Sequence, residues 1–197
     1  MLKILLFLLL LIPSTISSAW ASQIRSETRT DRSWKEEPSS FMGIRLGVPV
    51  REQFKECPPD LLDRVGLTGA DRQCLVRYDE RSAGLYEWKP PDIGVRLLDL
   101  TMYLADDSVE GVSVSFVGHD WFRMRDLLTL KYGLPHLKET PMYTTKSGER
   151  VPGQVLTWRG TNATMTLSEF GNKVDESTVT LRTKAWVEYL NHEKVKP

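Results

Sequence analysis

Residues 98–135, LDLTMYLADDSVEGVSVSFVGHDWFRMRDLLTLKYGLP, contain the two strongest structural signals of the chain. In the first half, apolar and polar residues alternate on both sides of the Asp-Asp pair at 106–107, which is typical of two strands joined by a turn. We therefore expect an antiparallel hairpin whose halves are joined by residues 107–111. Ser113 and Ser115 fall on the polar side of the second strand, so one face of the sheet should meet solvent or a partner.

The second half of this stretch predicts a helix that begins after Asp120, a favourable N-cap residue. Its apolar residues recur on one face at helical spacing: Trp121, Met124, Leu128 and Tyr132. Gly133 suits the left-handed backbone that commonly follows a helix, and Pro135 prevents continuation. The interior and both ends therefore agree on a helix.

Strand-like runs continue on both sides of this unit. They cover residues 42–46, 74–78, 85–88, 142–145, 155–158, 163–167 and 178–181. Glycines at 160 and 171 mark turns between the later runs, which indicates an antiparallel meander. Hydroxyl-bearing residues alternate with apolar ones in the run that begins at Ala163, so this strand also has a polar side.

A first helix is predicted at Pro49, because proline fits the first helical turn. Val50, Phe54 and Cys57 then fall on one helical face. The helix should end near Pro58, since proline disfavours helical backbone in the residue before it.

Residues 184–194 permit two structures: a helix with Trp186 and Tyr189 on one face, or a continuation of the last strand. The chain as a whole alternates as strand–helix–strands twice, over residues 41–104 and 111–181. This order is typical of a degenerate β-α-β(n) repeat, although the residues of the two blocks match poorly. The predicted fold class is α+β, a curved antiparallel sheet with the helices packed on one face.

The N-terminus has the pattern of an export signal. Lys3 precedes an apolar run over residues 4–12, and Ala19-Trp20-Ala21 offers a cleavage site. The alternative is a membrane anchor, but a span needs about 20 apolar residues. We therefore expect cleavage of residues 1–21, a mature protein without a membrane span, and a periplasmic or secreted location.

The remaining chain divides into a flexible polar leader at residues 22–40 and a single domain at residues 41–194. Basic and acidic residues are balanced, 26 of each. A near-neutral chain gives no electrostatic reason to expect nucleic acid as a partner.

The two cysteines, Cys57 and Cys74, predict a disulfide, because an even pair in an exported chain usually pairs. Two buried free thiols are the alternative. In the chain-entropy model, closing a loop of this size stabilises the fold by about 3 kcal/mol.

No catalytic, cofactor or metal site is predicted. The sequence has no nucleophile elbow, no zinc-protease motif and no phosphate-binding glycine loop. His119 and His136 flank one helix and lie too far apart to share a metal. Asp99 and Glu169 are acid–base candidates only if a cleft brings them together.

Aromatic residues are the remaining candidates for a partner contact. Tyr86 and Trp88 precede the rigid Pro90-Pro91 pair, and Trp121 begins the long helix. The alternative for Trp88 is that it closes an edge of the core. Trp121 and its neighbour Phe122 point about 100° apart on a helix, so one should be buried and the other partly exposed.

One part of the chain consists of a Ser-rich strand, a helix ending in Lys131-Tyr132-Gly133-Leu134-Pro135, and then Trp158 and the hydroxyl-rich strand from Ala163. This arrangement resembles small exported bacterial proteins of unknown function. The layout is also similar to envelope-assembly lipoproteins of the BamE type and to secreted β-lactamase-inhibitor proteins. This chain lacks the lipidated cysteine of the lipoproteins. The resemblance implies a binding module.

Taken with the missing motifs, this predicts an exported, soluble, non-enzymatic binding protein of the bacterial periplasm, either an inhibitor or an envelope-assembly accessory. Its partner would be a protein of the periplasm or envelope. The alternatives are a structural component of an envelope or secretion complex, or a hydrolase without a recognisable motif.

Overall fold

The computed structural model describes Trp34 and residues 36–58, 73–145, 147–171, 173 and 175–193. The strands are β1 (Ser40–Phe41), β2 (Ile44–Arg45), β3 (Cys74–Asp79), β4 (Ser82–Tyr86), β5 (Leu97–Ala105), β6 (Ser108–Val117), β7 (Leu137–Glu139), β8 (Met142–Thr144), β9 (Arg150–Pro152), β10 (Val155–Arg159), β11 (Ala163–Ser168) and β12 (Glu176–Thr183). The helices are α1 (Val50–Gln53), α2 (Trp121–Tyr132) and α3 (Lys184–Glu193). The expected export signal and most of the expected leader lie outside the described residues.

The largest unit is an eight-stranded antiparallel sheet in the order β3-β4-β5-β6-β12-β11-β10-β7. The pairs β1–β2 and β8–β9 form two small separate hairpins. The fold is therefore mostly antiparallel sheet with a few helices, which places it in the α+β or mostly-β class.

The hairpin β5–β6 confirms the central strand prediction, but its turn is tighter than expected. Ala105 pairs with Ser108, which leaves Asp106 and Asp107 as a two-residue turn. Both have positive φ, 48° and 70°, as a type I′ turn requires. Residues 108–111, predicted as the connection, belong to β6 instead.

Helix α2 lies where the sequence predicts it. The four apolar residues of the predicted face are its buried residues. Gly133 has φ 91°, and its N–H donates to the Thr129 carbonyl at 2.9 Å. The Asp120 carboxylate accepts the backbone N–H of Arg96 at 2.8 Å and makes no cap bond to the helix.

The prediction of a long first helix is wrong. α1 has four residues, and Phe54 has extended backbone at φ −138° and ψ 141°. The cause is a long-range competitor, because the N–H of Leu75 donates to the Lys55 carbonyl and the N–H of Cys57 donates to the Leu75 carbonyl. Residues 54–57 thus run beside β3.

The strand predicted over residues 42–46 is a hairpin. Phe41 pairs with Ile44, and Met42 and Gly43 form the turn with φ 51° and 85°. β7 and β9 were not expected from the sequence. The C-terminal ambiguity is resolved in favour of a helix, α3.

The main sheet has an apolar face and a polar face. Buried residues of the apolar face include Val112 and Val114 of β6, and Val179 and Leu181 of β12. α2 packs on this face, where the Trp158 indole N–H donates to the Gly133 carbonyl at 2.9 Å.

α3 lies on the opposite face, so the expected packing of all helices on one face is not found. Trp186 stacks on Tyr103 with ring centroids 5.4 Å apart, and Tyr189 stacks on Trp186 at 5.7 Å. Tyr103 alternates along β5 with the buried Met102 and therefore projects from the polar face. α3 follows β12 without a loop, and this aromatic stack holds it there.

The predicted repeat is not reproduced in its helices, since α1 has four residues and α2 has twelve. The three-stranded meanders β3–β5 and β10–β12 occupy the two halves of the sheet. The repeat stays a prediction.

The end of the expected leader packs against the domain. Trp34 is buried and its ring lies 5.5 Å from that of Tyr132. The Glu37 carboxylate accepts three backbone N–H groups of the β10–β11 turn, those of Thr161, Asn162 and Ala163. The described part of residues 34–40 therefore belongs to the packed fold.

Replacing Glu37 by alanine should lower the free energy of unfolding by about 1–3 kcal/mol, because three backbone donors lose a charged acceptor. Glu37→Gln retains one acceptor oxygen and should lose less. Urea denaturation measures both, with Glu36→Ala as the matched control because Glu36 is exposed. Equal stabilities of the Glu37→Ala and Glu36→Ala variants would contradict the anchoring role.

Within the described residues, no helix is long and apolar enough to cross a membrane.

Candidate functional site

The polar face of the main sheet has hydroxyl side chains in register across five adjacent strands. The central rank, one residue from each of β5, β6, β12, β11 and β10, consists of Thr101, Ser113, Thr180, Thr166 and Thr157. Neighbouring strands lie about 4.8 Å apart, so the rank spans roughly 19 Å. The hydroxyls of Ser113 and Thr180 are hydrogen-bonded to each other at 2.9 Å. We call this surface the hydroxyl face.

Two further ranks flank the central one. The first comprises Asp99, Ser115, Thr178 and Ser168, and the second Tyr103, Gly111, Arg182, Thr164 and Arg159. The second rank brings positive charge to one end of the face. The guanidinium of Arg182 lies over the Tyr103 ring, 5.0 Å from its centroid, which fixes the orientation of this cation.

α3 contacts β5, β6 and β12, and beside it the hydroxyl face forms a groove of about 410 Å³. The hydroxyl groove, as we name it, is lined by Thr164, Thr166, Ser168, Thr180, Arg182 and Lys184, among others. The side chains along its floor are hydroxyls of β11 and β12, and the two cations stand at the end nearest α3.

The start of α3 is fixed to the sheet by a buried carboxylate. Glu110 is 8% exposed and accepts the hydroxyl hydrogen of Thr183 at 2.5 Å. The same Thr183 oxygen accepts the backbone N–H of Trp186 at 3.2 Å, so it caps the helix. The wall of the hydroxyl groove is therefore held in place by side-chain contacts at its base.

A second groove, of about 420 Å³, lies between α2 and the N-terminal hairpin. The apolar groove is lined by Phe41, Met42, Ile93, Leu127, Leu130 and Tyr132, among others. Leu130 is 77% exposed, the highest value among the large apolar residues that the structure describes. Apolar side chains left open to water around a concavity are typical of an interaction surface.

Two cations of α2 lie at or near the apolar groove, Lys131 in its lining and Arg123 beside it. The Arg123 guanidinium lies against Gly94, next to Ile93, and a Cβ at Gly94 would be only 2.6 Å from it. Lys131 lies over the Tyr132 ring at 5.1 Å. In the part of the chain that the structure describes, no carboxylate forms an ion pair with either cation.

The structure separates the three predicted partner contacts. Trp121 is 1% exposed and fills the core under α2, so it cannot contact a partner in this conformation. Its neighbour Phe122 is 58% exposed, so one ring of this pair is buried and the other exposed, as expected. Tyr86 and Trp88 are half-buried, and Trp88 packs against the core. The structure thus does not bring the three aromatic residues together at one surface.

An ion cluster lies beside the disulfide. Arg77 pairs with Asp107 and with Glu56, and Arg51 pairs with the same two acids at 3.7 and 3.2 Å. The hydrogen bond to Asp107 is the main cause of a raised pKa of Arg77. All four partners are partly exposed, so this cluster contributes modestly to stability.

The acid–base candidates are not brought together. Asp99 and the residue before Glu169 lie in one rank but three strands apart, about 14 Å. Glu169 accepts the backbone N–H of Gln154 at 2.8 Å. His136 accepts the N–H of Arg159 at 3.0 Å, and His119 is exposed. Among the described residues, no three His, Cys, Asp or Glu side chains are grouped to hold a metal.

The predicted disulfide is confirmed. Cys57 and Cys74 are bonded, with Cα atoms 4.9 Å apart. The bond joins the extended segment after α1 to the first residue of β3.

Sequence reasoning missed the apolar groove. Leu127 was visible beside the predicted core face of the helix, and Leu130 follows three residues later. This i, i+3 pair indicates an apolar stripe on the helix outside its core face. The opposite wall of the groove comes from Phe41, Met42 and Ile93, and the sequence does not show that these distant residues lie beside α2.

Comparison of the chain with protein-family models, with curated proteins and with solved structures found no match. The resemblance to small exported proteins and to BamE-type or β-lactamase-inhibitor domains therefore stays a prediction.

Proposed function

We propose that the chain is an exported, non-enzymatic protein-binding module of the bacterial periplasm, acting as an inhibitor or an envelope-assembly accessory. It binds an apolar segment of a partner protein in the apolar groove. The observation that carries the proposal is this groove, with Leu130 largely open to solvent on a helix otherwise anchored in the core. The disulfide fits an oxidising compartment outside the cytosol.

The chemistry of the groove specifies the partner segment. Its apolar lining favours a partner segment with aliphatic or aromatic side chains. Each Å² of apolar surface removed from water contributes about 25 cal/mol of favourable free energy. Arg123 and Lys131 lie eight residues apart on α2, which is about 12 Å along the axis. The partner segment should therefore carry acidic residues at both ends of an apolar core, since opposite charges at the rim steer and orient binding.

A photo-crosslinking amino acid at position 130 tests the proposal directly. The purified protein is incubated with an envelope extract of its source organism, irradiated, and the linked peptide is identified by mass spectrometry. The same amino acid at position 122, exposed on another side of α2, is the matched control. We expect a protein linked from position 130 and absent from position 122, through an apolar peptide with flanking acids.

Once that peptide is known, Leu130→Gln should weaken its binding about tenfold or more, whereas Phe122→Gln should leave the affinity unchanged. Glutamine is a good helix former, so both variants should keep α2. Fluorescence anisotropy of the labelled peptide measures both. Linkage to a second copy, linkage to the chain's own N-terminal segment, or a peptide without acids would overturn the proposal.

A further inference from the structure

The hydroxyl groove has a lining unlike that of the apolar groove, and it calls for a different ligand. We propose that it binds an acidic saccharide, a sugar chain that carries carboxylate or phosphate groups. This inference does not depend on the function proposed for the apolar groove, since the two grooves lie on opposite faces of the sheet.

The floor of the groove favours a ligand that is polar along its whole length. Thr164, Thr166 and Thr180 each present a hydroxyl that can both donate and accept hydrogen bonds. An apolar segment laid over them would take water away from the hydroxyls of Thr164 and Thr166, which is unfavourable. Thr180 would keep its hydrogen bond to Ser113. Sugar hydroxyls have the same dual capacity, so they can replace the lost water around the ring.

The cations at the α3 end select for negative charge. Arg182 is exposed and held over Tyr103, and Lys184 is the exposed first residue of α3. Within the described ranges, neither is in an ion pair with a carboxylate. A preoriented guanidinium matches the two oxygens of a carboxylate or phosphate.

The remaining contact is apolar and small. Val187, 52% exposed, stands on α3 and lines the groove beside Lys184. The faces of a pyranose ring carry carbon-bound hydrogens, and Val187 offers them a matching surface. Hydroxyls on the floor, cations at one end and a single aliphatic contact on the wall together favour an acidic sugar over an acidic peptide.

The test uses isothermal titration of the whole disulfide-bonded protein with four probes: tri-galacturonic acid, a hyaluronan tetrasaccharide, neutral maltotriose and a tetraglutamate peptide. We expect at least one acidic saccharide to bind about tenfold or more tightly than maltotriose and tetraglutamate. Titration with inorganic phosphate separates recognition of the sugar from recognition of the anion alone.

Two variants place the binding in this groove. Arg182→Gln should weaken saccharide binding about tenfold or more, through loss of the charged hydrogen bonds. Thr166→Val keeps the side-chain shape and the strand preference and removes one hydroxyl, and it should also weaken binding. Thr101→Val, on the same face but outside the groove lining, should leave the affinity unchanged.

Failure of both acidic saccharides to bind would overturn the proposal. So would binding of tetraglutamate, maltotriose or phosphate with equal affinity, or affinities that do not change in the Arg182→Gln and Thr166→Val variants. An unchanged far-ultraviolet circular dichroism spectrum and urea midpoint in these variants would show that the fold is intact.

Discussion

Replacing Trp158 by alanine should lower the free energy of unfolding by about 3–5 kcal/mol, a large part of the stability of an ordinary domain. Trp158 is fully buried on the apolar face of the sheet. Its indole N–H donates to the Gly133 carbonyl at 2.9 Å and so ties the end of α2 to β10. The alanine variant loses both the packed ring and this link, and leaves a cavity.

Urea denaturation followed by far-ultraviolet circular dichroism measures the loss. Should the alanine variant not fold, Trp158→Phe is the milder change, since it keeps an aromatic ring and removes the indole N–H together with part of the ring volume. We expect Trp158→Phe to lose about 1–3 kcal/mol, because the Gly133 carbonyl loses its partner and the smaller ring fills the site less well. Phe122→Ala, at an exposed site on α2, is the control and should change stability by about 0.5 kcal/mol or less. If Trp158→Phe proved as stable as the parent, the link would have no structural role.

The β5–β6 hairpin and α2 could be predicted from the sequence because the residue patterns that specify them lie within one continuous stretch of chain. The β5–β6 hairpin follows from alternation around two aspartates, and α2 follows from one apolar face between Asp120 and Gly133. The disulfide followed from the count of cysteines combined with an export signal. None of these predictions required knowledge of which distant segments are neighbours.

The errors arise where distant segments compete for the same residues. The helical spacing of Val50, Phe54 and Cys57 is real, but the backbone of residues 54–57 finds partners at Leu75, twenty residues away. Local propensity therefore loses to long-range pairing. α3 was ambiguous because its orientation is decided by Tyr103 on another strand.

The candidate site was only half predictable for the same reason. Alternation shows that Ser113 and Thr166 lie on polar sides of their strands, but only the sheet order places them on one rank, with β12 between β6 and β11. Periodicity places Trp121 on the apolar face of α2, and the structure confirms that Trp121 is the buried ring and Phe122 the exposed one.

Removal of the disulfide, by reduction or in a Cys57→Ala, Cys74→Ala double variant, should lower the free energy of unfolding by about 3 kcal/mol. The bond spans a sequence separation of 17 residues. The backbone bonds of Lys55 and Cys57 to Leu75 do not depend on it, at 2.8 and 3.0 Å. The native segment should therefore persist, and most of the loss should come from the greater freedom of the unfolded chain.

Because the disulfide acts on the unfolded chain, its removal should also change how steeply the free energy of unfolding depends on urea. An unfolded chain without the cross-link exposes more surface, so the dependence of unfolding on urea should be steeper in the reduced protein than in the oxidised one. Reductant should have no effect on the double variant, which is the control. Alkylation followed by mass measurement should label no cysteine before reduction and two after it, and labelling of both beforehand would contradict the disulfide.

The apolar groove is built from α2 and the β1–β2 hairpin, away from Cys57 and Cys74. Partner binding should therefore survive reduction at temperatures where the fold survives, and a loss of binding while the fold remains would show that the two regions are coupled.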